Sequence, residues 1–396
     1  MKGNSDTRKT RFFGWGMKGY WYMALNLVSY ENDGNVISES MENTNDNGVC
    51  MSHMGFRTLD SVYCGKYLKT LTISGVATSP EYRRCGCVRQ MLNKLFEMAP
   101  ERGWEVSFLH PFSFSYYRKF GYEKVADHKI IEFPISKLDF TDRFPGLKPV
   151  DSEERAKDCT KIYNEFSMKR NIMFKRYGTS IYPTSASGDK KTYIWYDAAS
   201  KPASYITLRS EQYFSVNRME SVNLHIHEMA FTTPESLMAL FGFIRMFEGE
   251  DKRVKIHNCA MSPEVDTVLK HYMHSSYTLV PDIAARILDV KAVLQANRYP
   301  AGERGCFTVK VEDSLAYTRG VYRVEYDNGQ SEVTKLGDDA EYDLSASMPS
   351  FTQLVYGYDE YTADKAAYMD GVEICNPDSK FFNVFHKKHN GLFEHF

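Results

Sequence analysis

Residues 71–92 read LTISGVATSPEYRRCGCVRQML, and the apolar period changes inside them. The first eight residues have the composition of a strand, which runs into Pro80. Beyond it the apolar positions Val88, Met91, Leu92, Leu95 and Phe96 recur at three and four. That spacing predicts a helix opening near Arg84 and closing before Pro100 and Gly103. A strand feeding a helix through a short turn leaves backbone N–H groups at the helix start without acceptors, and the helix dipole adds positive character there. Arg83, Arg84 and Arg89 reinforce that charge, and Gly86 lets a bulky group approach the backbone. The segment is built to hold an anion of pyrophosphate size. It lacks the GK[ST] ending of a nucleoside triphosphate loop.

The pair Cys85 and Cys87 raises a metal as the competing occupant. One intervening residue is poor disulfide geometry and supplies two ligands at most, with no second Cys or His pair nearby to complete four. No metal is expected. The eight cysteines are scattered and contain no CxxC, too few for a disulfide framework in 396 residues, so reduced thiols and a cytoplasmic setting are expected. Lys plus Arg (49) nearly balances Asp plus Glu (51), so no overall field draws nucleic acid or an acidic membrane, and neither is expected as a partner. The apolar run GYWYMALNLVSY (19–30) is short and tyrosine-rich, and reads as an element of the first domain rather than a signal or anchor.

Downstream the pattern is strand (104–110), short helix (113–121) and strand (122–134). A boundary is expected within TDRFPGLKP (141–149), followed by a helix with Asp151 as its N-cap candidate. Strands at TYIWYDA, ASYITLR and NLHIHEMAF, a helix opening at Thr233-Pro234-Glu235 and a strand at RVKIHNCAM repeat the first outline. The arginine and glycine turn is missing from the repeat. From about Pro281 come a helix, alternating strands with a hairpin at Asp327-Asn328-Gly329, and helical stretches near 350–357 and 362–371. The class is α/β (α+β), in three parts: 1–142, 143–280 and 281–396. Five phenylalanines in the last sixteen residues predict an end docked on the protein.

GVATSPEYRRCG followed by YYRKFGYE (116–123) resembles the Eis family of GNAT acetyltransferases. The resemblance implies a catalytic GNAT domain, a second GNAT-like domain without the coenzyme A loop, and a sterol-carrier-protein-like domain. It implies acetyl-CoA as co-substrate and direct transfer of acetyl to a primary amine of a small molecule, of polyamine or aminoglycoside type, or of a peptide. Val76, Ala77 and Thr78 would bond the pantetheine arm. Arg84, Cys85, Gly86, Cys87, Val88 and Arg89 would surround the pyrophosphate, with Phe112 and Ser113 also lining the site. Tyr117 falls on the general acid, with Tyr116 and Tyr122 as neighbours that residue type alone leaves open. The α-carboxylate of Phe396 falls on the general base, and a homo-hexamer is implied.

Departures concern the acceptor. Only 70 residues precede the LTISGVAT strand, no clear strand stands before Asp6, and the residue before Phe396 is His395, with Glu394 as the substitute acidic neighbour. His225 and His227 share a strand face without a third ligand, and His386, His389 and His395 are interleaved with lysines as a solvated face, with the active site as the alternative place for His395. The rival function is a binding protein that holds an apolar ligand in its C-terminal domain beside a vestigial or sensory acetyl-CoA loop.

Overall fold

A computed structural model of the protein describes residues 6–14, 23–32, 35–178, 189–215, 218–249, 252–258, 262–269, 272–394 and 396. Five strands, β1 (Asp6–Gly14), β2 (Met23–Asn32), β3 (Asn35–Thr44), β4 (Cys50–Tyr63) and β5 (Lys66–Thr78), make an antiparallel meander. A strand thus begins at Asp6, and the run at 19–30 contributes β2, with Ala24, Leu25, Leu27 and Val28 buried; its residues 19–22 lie outside the described ones. Helix α1 (Cys87–Arg102) then crosses to β6 (Val106–Leu109), which lies parallel to β5. α2 (Phe114–Arg118) and β7 (Glu123–Pro134) follow.

The next stretch holds β8 (Lys148–Pro149), α3 (Glu153–Ser167), β9 (Lys191–Tyr196), β10 (Pro202–Ser215), β11 (Arg218–Phe231), α4 (Pro234–Arg245), β12 (Arg253–Ile256), α5 (Pro263–Val268) and β13 (Ser276–Ile287). The hairpin β10–β11, helix α4 and parallel strand β12 repeat the logic of β4–β5, α1 and β6. The two helix entries differ in chemistry. α4 begins with a capping box in which Thr233 and Ser236 satisfy each other's N–H groups, so its first turn carries its own cap. α3 is capped by Ser152 rather than Asp151, whose carboxylate instead meets Arg155 at 2.6 Å.

The two halves join in one thirteen-stranded sheet of order β1-β2-β3-β4-β5-β6-β13-β7-β12-β11-β10-β9-β8. β13 is inserted between β6 and β7, antiparallel to both, so position 280/281 falls inside a strand of the large sheet. Then come α6 (Val290–Ala296), β14 (Arg304–Glu312), β15 (Gly320–Asp327), β16 (Gln330–Lys335), β17 (Leu344–Ser347), α7 (Met348–Val355), α8 (Ala363–Ala366) and β18 (Val372–Ile374), with a second sheet ordered β16-β15-β14-β17-β18. The hairpin turn carries Asn328 and Gly329 at positive φ, as its sequence predicts. The inner face of this sheet is filled by Phe307, Val309, Val324, Phe351, Phe381 and Phe385, in one core with Phe108 and Ile283 of the large sheet.

α1 continues through Pro100 to Arg102 and ends on Gly103 in the left-handed region. A proline there removes the N–H that would bond the Phe96 carbonyl one turn earlier. The Tyr317 hydroxyl, from the loop after β14, donates to that carbonyl at 2.9 Å and makes good the loss.

The chain's last residues are pinned at several points. Asn390 Nδ2 donates to the carbonyls of Val125 and Tyr356, and Phe393 packs against Tyr163 and Phe166. Glu394 accepts from Arg176 Nε at 2.7 Å and from the Tyr163 hydroxyl at 3.2 Å. The other side of the Arg176 guanidinium holds Glu228 at 2.6 and 3.0 Å. Arg176 is 5% exposed, so its removal strands two carboxylates out of water. Arg176→Met is expected to cost about 3–5 kcal/mol, the usual penalty for breaking a buried pair from one side. Urea denaturation at neutral pH measures it, and a loss below about 1 kcal/mol would mean that water reaches the carboxylates.

Candidate active site

Register positions the cleft. β5 and β6 pair from Thr70↔Val106 to Ile73↔Leu109, and there the pairing stops. β5 runs on to Thr78 with only β4 beside it, so its last residues have one open edge. Into the gap comes the start of α1. Gly86, at φ 88°, is its N-cap, and Arg84 also takes a positive φ of 66°. A Cβ on Gly86 would meet nothing within 4 Å, so backbone conformation demands glycine here and the space above it is open. No side chain caps this helix start, in contrast with α4. Its N–H groups are left for solvent or a ligand.

Around this point lies a cleft of about 820 Å³. Its walls include Val76, Ala77 and Thr78 from β5, Arg84, Gly86, Cys87, Val88 and Arg89 from the turn and helix, and Phe112. Nine positions singled out in the sequence therefore meet in one place. Cys85 and Ser113 do not line it. Cys85 is exposed and its thiol lies 3.8 Å from the Arg83 carbonyl, while the Ser113 hydroxyl caps α2 by accepting from Tyr116 N. Tyr82, Tyr116, Lys119 and Phe120 line the cleft as well; the last three lie within the YYRKFGYE motif without having been assigned to the cofactor site. Their signal was the i, i+3, i+4 spacing of Tyr116, Lys119 and Phe120, which puts three side chains on one face. Arg83, Arg84, Arg89 and Lys119 bring four cations to a cleft whose wall carries no carboxylate.

Phe112 is 76% exposed at this cleft, with its ring edge-on to Tyr117 at 5.5 Å and tilted against Tyr116 at 5.2 Å. A bare aromatic beside a cationic cleft is what a ligand with an apolar or heteroaromatic part would cover. The Cys87 thiol is buried, and burial pushes its pKa up, so it is a poor nucleophile.

The three neighbouring tyrosines separate by environment. Tyr122 is fully buried and its hydroxyl is engaged with Ser107 Oγ at 2.7 Å. Tyr116 is half-buried on the cleft wall, and burial raises its pKa. Tyr117 lies directly behind, 3% exposed, and burial followed by the Tyr116 hydroxyl pushes its pKa up to about 12. Its hydroxyl has no hydrogen bond to the described residues. Phe396 arrives at the same end of the sheet. Its ring packs on His110 at 4.9 Å and on Phe174 at 5.4 Å, and His110 Nδ1 meets Asp282 at 3.0 Å. Glu394, the acidic residue expected to draw in a cationic acceptor, is committed to Arg176 and is not available for that role. His395 lies outside the described residues.

His225 and His227 acquire two companions, His257 and His128. The rings of His227 and His257 are within 3° of parallel at 5.4 Å, and a nitrogen of His257 meets His225 Nδ1 at 3.2 Å. Among the described residues no three His, Cys, Asp or Glu side chains are arranged to hold a metal ion. Burial and then mutual repulsion lower the pKa of His257 to about 3, and burial and nearby Lys190 lower that of His227 to about 4. His386 pairs with Glu360 at 2.9 Å on the surface.

Comparisons with known proteins fit this geometry. Residues 33–125 match the model of the acetyltransferase (GNAT) domain and residues 290–387 that of the sterol carrier protein domain. A comparison with curated proteins found no match. Among solved structures the chain is similar to a GCN5-related N-acetyltransferase from Anabaena variabilis, at TM-score 0.77 and 18% identity over 90% of this chain and 89% of that one. It is similar to a conserved protein from Enterococcus faecalis, at 0.75 and 20% over 91% and 89%. It is also similar to Eis1 from Mycobacterium abscessus, at 0.72 and 13% over 91% and 92%.

The histidine shifts carry a signed expectation. A folded pKa below the unfolded one stabilises the fold fully above about pH 6.5, and that contribution is lost as pH falls toward 3. His257→Gln removes this dependence. Urea midpoints at pH 7 and pH 4 are expected to differ less in the variant than in the wild type. Equal differences would mean that His257 titrates as an exposed imidazole does.

Proposed function

We propose that this chain, a GNAT enzyme with a C-terminal sterol carrier protein domain in the Eis-like arrangement, transfers acetyl from acetyl-CoA to a primary amine in a single direct step. The observation that carries the reading is the uncapped, arginine-flanked start of α1 facing the open edge of β5 in one cleft. The helix start would hold the pyrophosphate, Arg84, Arg89 and Lys119 would balance its charge, and the β5 edge would bond the pantetheine amides as a partial strand. The amine nitrogen attacks the thioester carbonyl, the C–S bond breaks, and sulfur leaves as a thiolate that needs a proton.

Tyr117 is assigned that proton donation. At a pKa of about 12 the phenol is fully protonated at neutral pH. A thiol of pKa about 8.5 leaves transfer uphill by a few units, so the phenol gives its proton to sulfur as the C–S bond breaks and is reprotonated from solvent, which takes up the proton that the amine sheds. Tyr122 is excluded by its bond to Ser107. The ammonium proton of the product is assigned to the α-carboxylate of Phe396, on the family resemblance and on the placement of its ring beside His110. The acceptor is a small-molecule polyamine or aminoglycoside-like amine, or a peptide lysine. The parts are proposed as 1–142 catalytic, 143–280 non-catalytic and 281–396 sterol-carrier-like, with β13 shared. A homo-hexamer in the cytoplasm completes the reading. No helix among the described residues is long and apolar enough to cross a membrane, and none of the described cysteines is in a disulfide.

Thiol release from acetyl-CoA across a panel of polyamines, aminoglycosides and lysine peptides tests the activity. At least one amine is expected to accelerate release, and none doing so would end the proposal. Tyr117→Phe is expected to lower turnover by ~10²–10⁴ with acetyl-CoA affinity kept. Unchanged turnover moves the role to Tyr116. In the wild type the pKa of about 12 predicts turnover that persists above pH 10, where an ordinary phenol would already be ionised.

A further inference from the structure

The turn that follows Tyr117 is held from outside its own segment. Arg286, near the end of β13, is 1% exposed, and its guanidinium donates to the Phe120 carbonyl and, at 2.7 Å, to Asp313 Oδ2. Its Cζ stands 4.7 Å from the centre of the Phe96 ring. Gly121 comes next in the turn, at φ 83°, and a Cβ there would overlap the guanidinium, with Cζ only 2.7 Å away. The glycine of the FGY sequence is thus required both by its backbone and by the arginine packed on it.

Asp313 belongs to the C-terminal unit, at the start of the loop after β14, and it also accepts from the Thr318 hydroxyl. The same loop supplies Tyr317 to the Phe96 carbonyl and packs Leu315 against the core of the first unit. On the other side, the Tyr117 carbonyl accepts the N–H of Phe120 at 2.9 Å and of Tyr122 at 3.3 Å. An unbroken chain of bonds therefore runs from Asp313 through Arg286 and Phe120 to the backbone of Tyr117. Taking both charges out of water costs about as much as their attraction returns, so stability alone does not explain the pair. What a fork bonded at two points gives is a fixed geometry.

We infer that Arg286, fixed by Asp313, is a positioning residue that sets where the Tyr117 hydroxyl stands against the departing sulfur. This rests on the reading of Tyr117 as the proton donor. It makes the C-terminal unit part of the catalytic apparatus, through one arginine.

Arg286→Lys keeps the charge but cannot span both partners. Two readouts separate positioning from general support. The first needs no acceptor: ¹³C-tyrosine NMR of the full chain, with the Tyr117 signal assigned by its loss in Tyr117→Phe. In the wild type it is expected to titrate at about 12, and in Arg286→Lys to move toward the ordinary ~10 as the turn loosens and water reaches the ring. The second is a cycle with the amine selected by thiol release. Arg286→Lys is expected to lower kcat at least ~10-fold with the KM for acetyl-CoA within ~2-fold, and to cause no further loss in a Tyr117→Phe background. An unmoved titration, or the same fractional loss of kcat in both backgrounds, would overturn the inference. If Arg286→Lys does not fold, Thr318→Val, which frees only one bond to Asp313, is read by the same criteria. If Tyr117→Phe leaves turnover intact, the proton-donor reading has failed, and the titration alone decides whether Arg286 holds the turn.

Discussion

Two parallel strands part company at Ile73 and Leu109, and much of the molecule follows from that separation. A strand with one open edge leaves peptide groups to be satisfied by something other than sheet. A helix start with no side-chain cap leaves N–H groups in the same condition on the wall of the same cleft. Four cations bordering the gap would repel one another and are tolerable only because solvent or an anion lies between them. Each of these features is a local cost for an empty fold, and together they support the proposal of a phosphorylated cofactor here. The second unit shows the contrast. It reuses hairpin, helix and parallel strand, closes the helix start with Thr233 and Ser236, and carries no such cost.

The third unit does more than add mass. Tyr317 repairs the carbonyl that Pro100 orphans, Asp313 reaches Arg286 beneath the FGY turn, and the terminal residues are threaded past Val125, Arg176 and Tyr163 to bring Phe396 to His110. The α1 cleft is therefore framed by elements from well beyond its own segment of the chain.

What could be read from the sequence was what depends on neighbours along the chain. The strand, the Arg and Gly turn, the α1 face and the hairpin at Asn328-Gly329 are all decided within a few residues. The end of α1 was misread because its rescue comes from Tyr317, more than two hundred residues on. Glu394 was assigned to the acceptor because nothing local announces Arg176. The position of β13 between β6 and β7 is likewise a long-range pairing. Tyr116 and Tyr117 could not be told apart because α2 has five residues, too few for a period to declare which side faces the core.

The central claim is that the start of α1 holds the pyrophosphate of acetyl-CoA. Calorimetric titration of acetyl-CoA into the wild type and Gly86→Val tests it most directly. Valine cannot hold φ near 88° without strain, so the loop must rearrange, while the exposed site leaves the fold in place. The account predicts measurable binding by the wild type and a loss of about tenfold or more in the variant. Equal affinity in the two proteins, with both folded, would contradict it.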